Sequence, residues 1–145
     1  MKNIFRIIGL AFLTITLAFT SIDKKIILID VSHGGYDNGI SIGELNEKEI
    51  TLNIAKKIKE LNENANVDII LTRDSDKFIS LNERTESINK LRPDFVISLH
   101  VNSNEDRSQN GMEIFVSNKN KQKVKSEKLA LDIYNSFDNH NREIN

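Results

Sequence analysis

Short apolar runs alternate along this chain with longer segments whose apolar residues recur at helical spacing. Three runs have the length of a strand: Ile26 to Ile29, Val67 to Leu71 and Phe95 to Leu99. The first is continuously apolar up to Asp30, which is typical of a parallel strand that is buried on both faces. Met112 to Val116 predicts a fourth strand.

The segments between these runs carry helix signals. Asn46 with Glu49 predicts a capping box at the start of a first helix. The apolar stripe of this helix consists of Ile50, Ile54, Ile58 and Leu61. Ser80 with Glu83 predicts a second capping box, at a helix that ends before Pro93. A last helix is indicated by Leu129, Ile133 and Phe137.

The order strand, helix, strand, helix, strand is typical of α/β proteins. We therefore expect a three-layer domain with a mainly parallel sheet and helices on both faces. Ligands of such sheets bind outside the carboxyl ends of the strands. His33 lies just past the end of the first strand and His100 directly follows the third, so both are expected at the same edge of the sheet.

The first 21 residues differ in character from the rest. Lys2 and Arg6 precede an apolar core from Ile7 to Phe19, and small residues follow near Ser21. This pattern predicts a secretory signal peptide over residues 1–21, because the apolar core is shorter than the ~20 residues of a membrane-spanning helix. An uncleaved membrane anchor is the alternative. After cleavage we expect one domain over residues 22–145 and no stable membrane insertion.

Composition narrows the classes of function. The formal net charge of −1 gives no electrostatic attraction to nucleic acid. The chain has no cysteine. An exported form would therefore have no disulfide, and its stability would depend on packing or on a metal.

Three residues are candidates for a zinc site. Zinc binds imidazole nitrogens and carboxylate oxygens, and a hydrolytic zinc keeps one position open for water. Glu47 begins the helix that follows the long loop containing His33, so its first turn should lie at the same sheet edge as His100. The spacing thus predicts His33, Glu47 and His100 as ligands of Zn²⁺. Two alternatives stay open: a histidine after a strand is often an ordinary loop residue, and a carboxylate is favourable at any helix N-terminus.

Six short motifs occur along the chain, and three of them contain the candidate zinc ligands. They are IDVSHGG, EKEITLNIA, TRDSD, LNERTESIN, SLHVNS and GMEIF, in this order. Each motif alone is a weak signal. Together they resemble the motifs of the zinc-dependent N-acetylmuramoyl-L-alanine amidases, and the resemblance covers this chain from Lys25 to about Phe137. These enzymes hydrolyse the amide bond between muramic acid and L-alanine in peptidoglycan. The resemblance implies Zn²⁺ held by His33, Glu47 and His100, and a peptidoglycan substrate in the periplasm, cell envelope or extracellular space.

Other polar residues of the motifs have structural interpretations. We expect Arg73 and Arg84 to form ion pairs with nearby acidic residues. The candidate partners are Asp74, Asp76 and Glu83. Asp30 could orient His33, or it could cap the turn that follows the strand.

The chain departs from the family pattern in two places. Val31 and Ser32 stand where the family usually has Pro-Gly. The family also has a C-terminal strand with a glutamate that acts as the base, and nothing after Phe137 resembles it. We therefore expect residues 22–145 to be an amidase-like catalytic domain without its C-terminal part. Its activity should be weak at best, because a general base contributes ~10²–10⁴-fold in rate.

The sequence leaves the catalytic base unassigned. Glu113 and Asp37 are the first carboxylates to test for this role. Two alternatives to an active amidase stay open, namely a non-catalytic relative that binds zinc and the cell wall, and an inactive fragment of such an enzyme.

Overall fold

The computed structural model describes residues 23–103 and 111–144, with side chains up to residue 137. The signal peptide expected over residues 1–21 lies outside these residues. The chain divides into two compact units, of which the first ends at Leu99 and the second begins at His100.

A three-stranded parallel sheet forms the centre of the first unit. Its strands are β1 (Lys25–Val31), β4 (Val67–Leu71) and β5 (Phe95–Leu99), and β1 lies between the other two. The continuous apolar sequence of β1 fits this central position, because a strand with neighbours on both sides and cover on both faces contacts little water. The predicted α/β class with a parallel sheet is confirmed.

Two short strands and two helices accompany this sheet in the described part of the first unit. Strands β2 (Ser41–Ile42) and β3 (Leu45–Asn46) form a small antiparallel hairpin directly before helix α1 (Glu47–Glu60). Helix α2 (Leu81–Leu91) begins at the predicted capping box: the Ser80 side chain accepts a hydrogen bond from the Glu83 amide, and the Glu83 side chain accepts one from the Ser80 amide.

The predicted capping box of α1 is wrong. Asn46 is the N-cap residue, but its side chain makes no capping hydrogen bond. Its Oδ1 instead accepts a hydrogen bond from the Ser41 hydroxyl, 2.8 Å away across the hairpin. The Glu47 amide donates to the Ile40 carbonyl, so the chain before the helix takes over the capping role.

The core of the first unit lies between β1 and α1. Ile29, Val31 and Ala55 are almost completely buried, and four partly buried residues pack against them. These four are Leu52, Ile69, Leu71 and Leu99. The fully buried face of α1 is formed by Glu47, Thr51 and Ala55, at a spacing of four residues.

The predicted apolar stripe of α1 is therefore only partly buried. Ile54 and Ile58 are more than one-third exposed, and Leu61 is nearly two-thirds exposed. The buried face is small and partly polar because the helix turns Glu47 inward at its first residue.

The second unit contains helix α3 (Lys123–Ile144), which agrees with the predicted last helix. The strand predicted over Met112 to Val116 is wrong, since this segment has no strand pairing in the described part of the chain. A run of alternating residues forms a strand only when another strand offers hydrogen-bonding partners. No helix among the described residues is long and apolar enough to span a membrane.

Candidate metal centre

The carboxyl edge of the sheet carries both predicted histidines. Val31, the last residue of β1, pairs with Leu99, the last residue of β5. His33 comes two residues after Val31, and His100 is joined to Leu99 by one peptide bond. His100 is the first residue of the second unit, so its place at this edge is given by its bond to Leu99.

His33 has an unusual backbone conformation. Its φ of 56° lies in the left-handed region, which costs a residue other than glycine about 1–2 kcal/mol. Surrounding contacts must hold the backbone in this conformation.

Two buried arginines supply these contacts. Arg73 donates from Nε to the Val31 carbonyl (3.2 Å) and from Nη2 to the Ser32 carbonyl (2.7 Å). Arg84 donates from Nη1 to the Val31 carbonyl (2.6 Å) and from Nη2 to the His33 carbonyl (2.8 Å). Three consecutive carbonyls are thus bound by two guanidinium groups, which we call the arginine clamp. Five fixed N–H donors per guanidinium make arginine suited to this role.

The predicted partners of these arginines are wrong. Arg84 forms its ion pair with Asp30, at 2.6 Å between Nη1 and Oδ1. Arg73 donates to four backbone carbonyls, and burial lowers its pKa below the ordinary value. Among the predicted acids, Asp76 pairs with Lys48.

Asp30 does not take the orienting role that the sequence left open for it. Its carboxylate accepts hydrogen bonds from Thr72, Arg84 and Ser98. These contacts tie the end of β1 to β5, to the residue that follows β4, and to α2.

The carboxylate beside the His33 ring belongs to Asp37. Asp37 Oδ2 lies 2.9 Å from His33 Nδ1, and Asp37 Oδ1 accepts a hydrogen bond from the Gly39 amide at 3.2 Å. The hydrogen bond with His33 lowers the pKa of Asp37 below its usual range, and the Gly39 amide acts in the same direction. Asp37 is therefore an ionised acceptor, and it holds the imidazole through Nδ1. The other ring nitrogen, Nε2, faces away from Asp37.

Glu47 faces Nε2 of the His33 ring. Its side chain is 3% exposed, and its Oε2 lies 3.1 Å from His33 Nε2. Oε2 also accepts a hydrogen bond from the Ile40 amide at 3.0 Å, and the Ser32 hydroxyl lies 3.5 Å from Oε1. Glu47 is thus more than a charge at a helix N-terminus, because its carboxylate is turned back toward the loop that carries His33.

This arrangement fits a bound cation. A buried carboxylate oxygen 3.1 Å from a ring nitrogen needs a proton or a metal ion between the two atoms. Two ligands of a tetrahedral zinc, each about 2.0–2.1 Å from the ion, are about 3.3 Å apart. Within the described residues, His33, Glu47 and His100 form the group that could hold a metal ion.

Glu113, the other carboxylate considered as a base, lies in the second unit. Its Oε2 accepts a hydrogen bond from the Asn102 amide group at 2.9 Å.

Together these features define an α/β protein whose parallel sheet carries, at its carboxyl edge, side chains that could hold a metal ion. A family model described as N-acetylmuramoyl-L-alanine amidase matches residues 27–145, which is most of the chain. The chain belongs to this family.

Curated relatives agree with this assignment. The chain is 44% identical over 79 residues to the sporulation-specific N-acetylmuramoyl-L-alanine amidase of Bacillus subtilis, a match covering 53% of this chain and 31% of the relative. It is 35% identical over 107 residues to the amidase LytC of the same organism, covering 74% of this chain and 21% of the relative. The chain thus spans about a third or less of the length of these two relatives.

Solved structures share the fold. The catalytic domain of the amidase CwlV from Bacillus (Paenibacillus) polymyxa superposes with a TM-score of 0.55 at 32% identity, covering 60% of this chain and 50% of that structure. The amidase AmiC2 of Nostoc punctiforme gives a TM-score of 0.52 at 36% identity, with 57% and 47% covered.

Proposed function

We propose that this protein is a zinc-dependent N-acetylmuramoyl-L-alanine amidase that hydrolyses the bond between muramic acid and L-alanine in peptidoglycan. The observation that carries the proposal is that His33 Nε2 lies 3.1 Å from the buried Glu47 carboxylate. This contact lies at the sheet edge where β5 ends and His100 follows. Membership of the amidase family supports the choice of substrate. A cell-wall substrate also favours export, with residues 1–21 as the signal peptide.

The ligands in this proposal are His33, Glu47 and His100. When bound, zinc acts as a Lewis acid on the amide carbonyl and lowers the pKa of water. Glu47 offers a carboxylate whose position is fixed by the Ile40 amide. His33 offers Nε2, and its ring orientation is fixed through Nδ1.

Asp37 has the contacts of a positioning residue and not those of a base. Both of its oxygens are engaged, one by His33 and the other by the Gly39 amide. A carboxylate that accepts from a metal-bound histidine fixes the tautomer and raises the basicity of the ligand.

Replacing His100 with alanine should remove most of the bound zinc, because a three-ligand site loses both a bond and its geometry. The measurement is elemental analysis of the purified protein, with about one zinc per chain expected for the parent. The control is Asn102→Ala, two residues further along the chain. A His100→Ala variant that holds as much zinc as the parent would show that the ligand set is wrong.

Replacing Asp37 with asparagine should weaken zinc binding about 10-fold, at the lower end of the range for residues that orient a metal ligand. Asparagine keeps the size of the side chain but loses the charge that fixes the His33 tautomer. Competition with a chromophoric chelator measures the affinity, and Asp74→Asn provides an exposed acid in the same unit as the control. Equal affinities of the Asp37 variant and the parent would rule out the positioning role.

Activity is tested on purified peptidoglycan with the zinc-loaded protein. An amidase releases stem peptides with a new amino-terminal alanine, whereas a glycosidase produces new reducing sugar ends. Release of alanine amino groups that depends on Glu47 supports the proposal. Zinc binding and sedimentation with peptidoglycan without any release would instead indicate the non-catalytic relative.

A further inference from the structure

An exposed aromatic pair stands on the loop that carries His33. Tyr36 lies in a tight turn closed by two hydrogen bonds between Gly34 and Asp37, of 2.9 and 3.2 Å. Its ring stacks on Phe78, with centroids 4.3 Å apart and an angle of 26° between the planes. Tyr36 is nevertheless 81% exposed. One face of the ring is covered by Phe78, so the opposite face is open to solvent.

The contacts below the ring hold this pair in place. The Gly35 amide donates to Asp76 Oδ1 at 2.7 Å, and Lys48 Nζ donates to both the Gly35 carbonyl (2.7 Å) and Asp76 Oδ2 (2.9 Å). A Cβ atom on Gly35 would lie 2.8 Å from the Phe78 amide nitrogen, so only glycine permits this close approach. The ring is thus preorganised, which lowers the entropy lost when a ligand stacks on it.

The folded state gains little from this exposed ring, since most of its apolar surface remains in water. Rigid, exposed aromatic side chains are instead enriched where proteins bind other molecules. The position of Tyr36 also points to the substrate, because it directly precedes Asp37, the residue that contacts His33.

The charges around the pair favour a neutral ligand. Lys48 and Asp76 are bound to each other, so their charges offset one another below the turn. The face of an aromatic ring is electron-rich and attracts the weakly positive C–H groups of another molecule. A pyranose ring is neutral and presents a face of C–H groups, which matches the open face of Tyr36.

We propose that Tyr36, supported by Phe78, is a stacking subsite for a sugar ring of the glycan strand. This inference rests on the proposed function, because it assumes a peptidoglycan substrate at the neighbouring centre. The subsite would hold the glycan beside the metal ligands while the amide bond reaches them.

The test measures binding of a peptide-free glycan, the tetramer of N-acetylglucosamine, to the zinc-loaded protein by calorimetry. Tyr36→Ala should weaken binding about 10-fold, which corresponds to ~1.4 kcal/mol of stacking. Tyr36→Phe should bind within about 2-fold of the parent, since it keeps the ring face. Tyr134→Ala is the matched control, because Tyr134 is the other tyrosine of the chain and is 50% exposed on α3.

A second readout reports directly on the ring. The chain has two tyrosines and no tryptophan, so in a Tyr134→Phe variant the tyrosine emission comes from Tyr36 alone. Addition of the tetramer should change this emission in a saturable way. Chemical denaturation and zinc content of Tyr36→Ala should match the parent, which excludes a loss of folding.

Three results would overturn the inference. They are absence of tetramer binding by the parent, equal binding by Tyr36→Ala and the parent, and a Tyr36→Ala defect confined to a free stem peptide, which would assign the ring to the peptide. Failure of the proposed function has a different signature: the protein would lack zinc or amidase activity while the Tyr36-dependent binding of the tetramer persists.

Discussion

Replacing Arg84 with methionine should lower the free energy of unfolding by about 3–5 kcal/mol, the range for removing one partner of a buried ion pair. The Arg84 side chain is 7% exposed, and that of Asp30 is 16% exposed. Methionine keeps the length of the side chain but leaves the Asp30 carboxylate without its counter-charge. The Val31 and His33 carbonyls also lose a donor, so the left-handed backbone at His33 loses part of its support.

Urea denaturation of the purified protein measures this effect. Arg84→Lys keeps the charge but cannot donate to several acceptors in fixed directions, so it should fall between the parent and Arg84→Met. Arg92→Met is the matched control at an exposed position at the end of α2 and should change stability by no more than about 0.5 kcal/mol.

A double variant separates the effect of the unpaired Asp30 charge from the loss of the hydrogen bonds of the arginine clamp. Adding Asp30→Asn to Arg84→Met removes the uncompensated charge and should recover part of the lost stability. An Arg84→Met protein within about 1 kcal/mol of the parent would contradict the clamp, because even a single hydrogen bond to a charged group contributes more than that.

Replacing Gly39 with alanine should weaken zinc binding by at least about 100-fold, the upper end of the effect of residues that support metal ligands. A Cβ atom at this position would lie 2.5 Å from Glu47 Oε2 and 2.6 Å from His33 Cδ2. Both are parts of proposed ligand side chains, and they would have to shift to make room for the methyl group. The added methyl group would therefore disturb two of the three ligands at once.

Gly43→Ala provides a close control for this prediction. Gly39 and Gly43 have φ angles of 63° and 62°, so alanine costs about 1–2 kcal/mol of backbone strain at either position. A Cβ atom on Gly43 would have no neighbour within 4 Å. The two variants should lose similar backbone stability, and only Gly39→Ala should lose zinc affinity in a chelator competition. Equal zinc affinities for the two variants would show that the metal does not bind between His33 and Glu47.

The secondary structure was predictable where the signal was local. The buried apolar sequence of β1 and the Ser80 capping box depend on residues that are close in the sequence, and both predictions are confirmed. The Asn46 capping box failed because the Ser41 hydroxyl occupies the Asn46 oxygen from the opposite strand of the hairpin. The strand after Met112 failed because strand formation depends on a partner as well as on the residues themselves.

The contacts around the candidate ligands were predictable only in part. The Asp37 contact could have been found, since a carboxylate four residues after a histidine and across two glycines can fold back onto it. The arginine clamp could not have been found in this way. Arg73 and Arg84 are 41 to 53 residues from the carbonyls they bind at Val31, Ser32 and His33, and a backbone acceptor has no sequence signature.

The sequence by itself determined the parallel α/β class and the edge of the sheet at which His33 and His100 occur, because hydrophobic periodicity and strand order are properties of the chain. The tertiary structure decided which groups contact the His33 loop. In it, Asp30 forms an ion pair with Arg84, and Asp37 contacts Nδ1 of the His33 ring. The buried Glu47 carboxylate lies next to Nε2 of the same ring. The physical reason is that burial forces each polar group to find a partner, and which partner lies within reach depends on how distant segments pack.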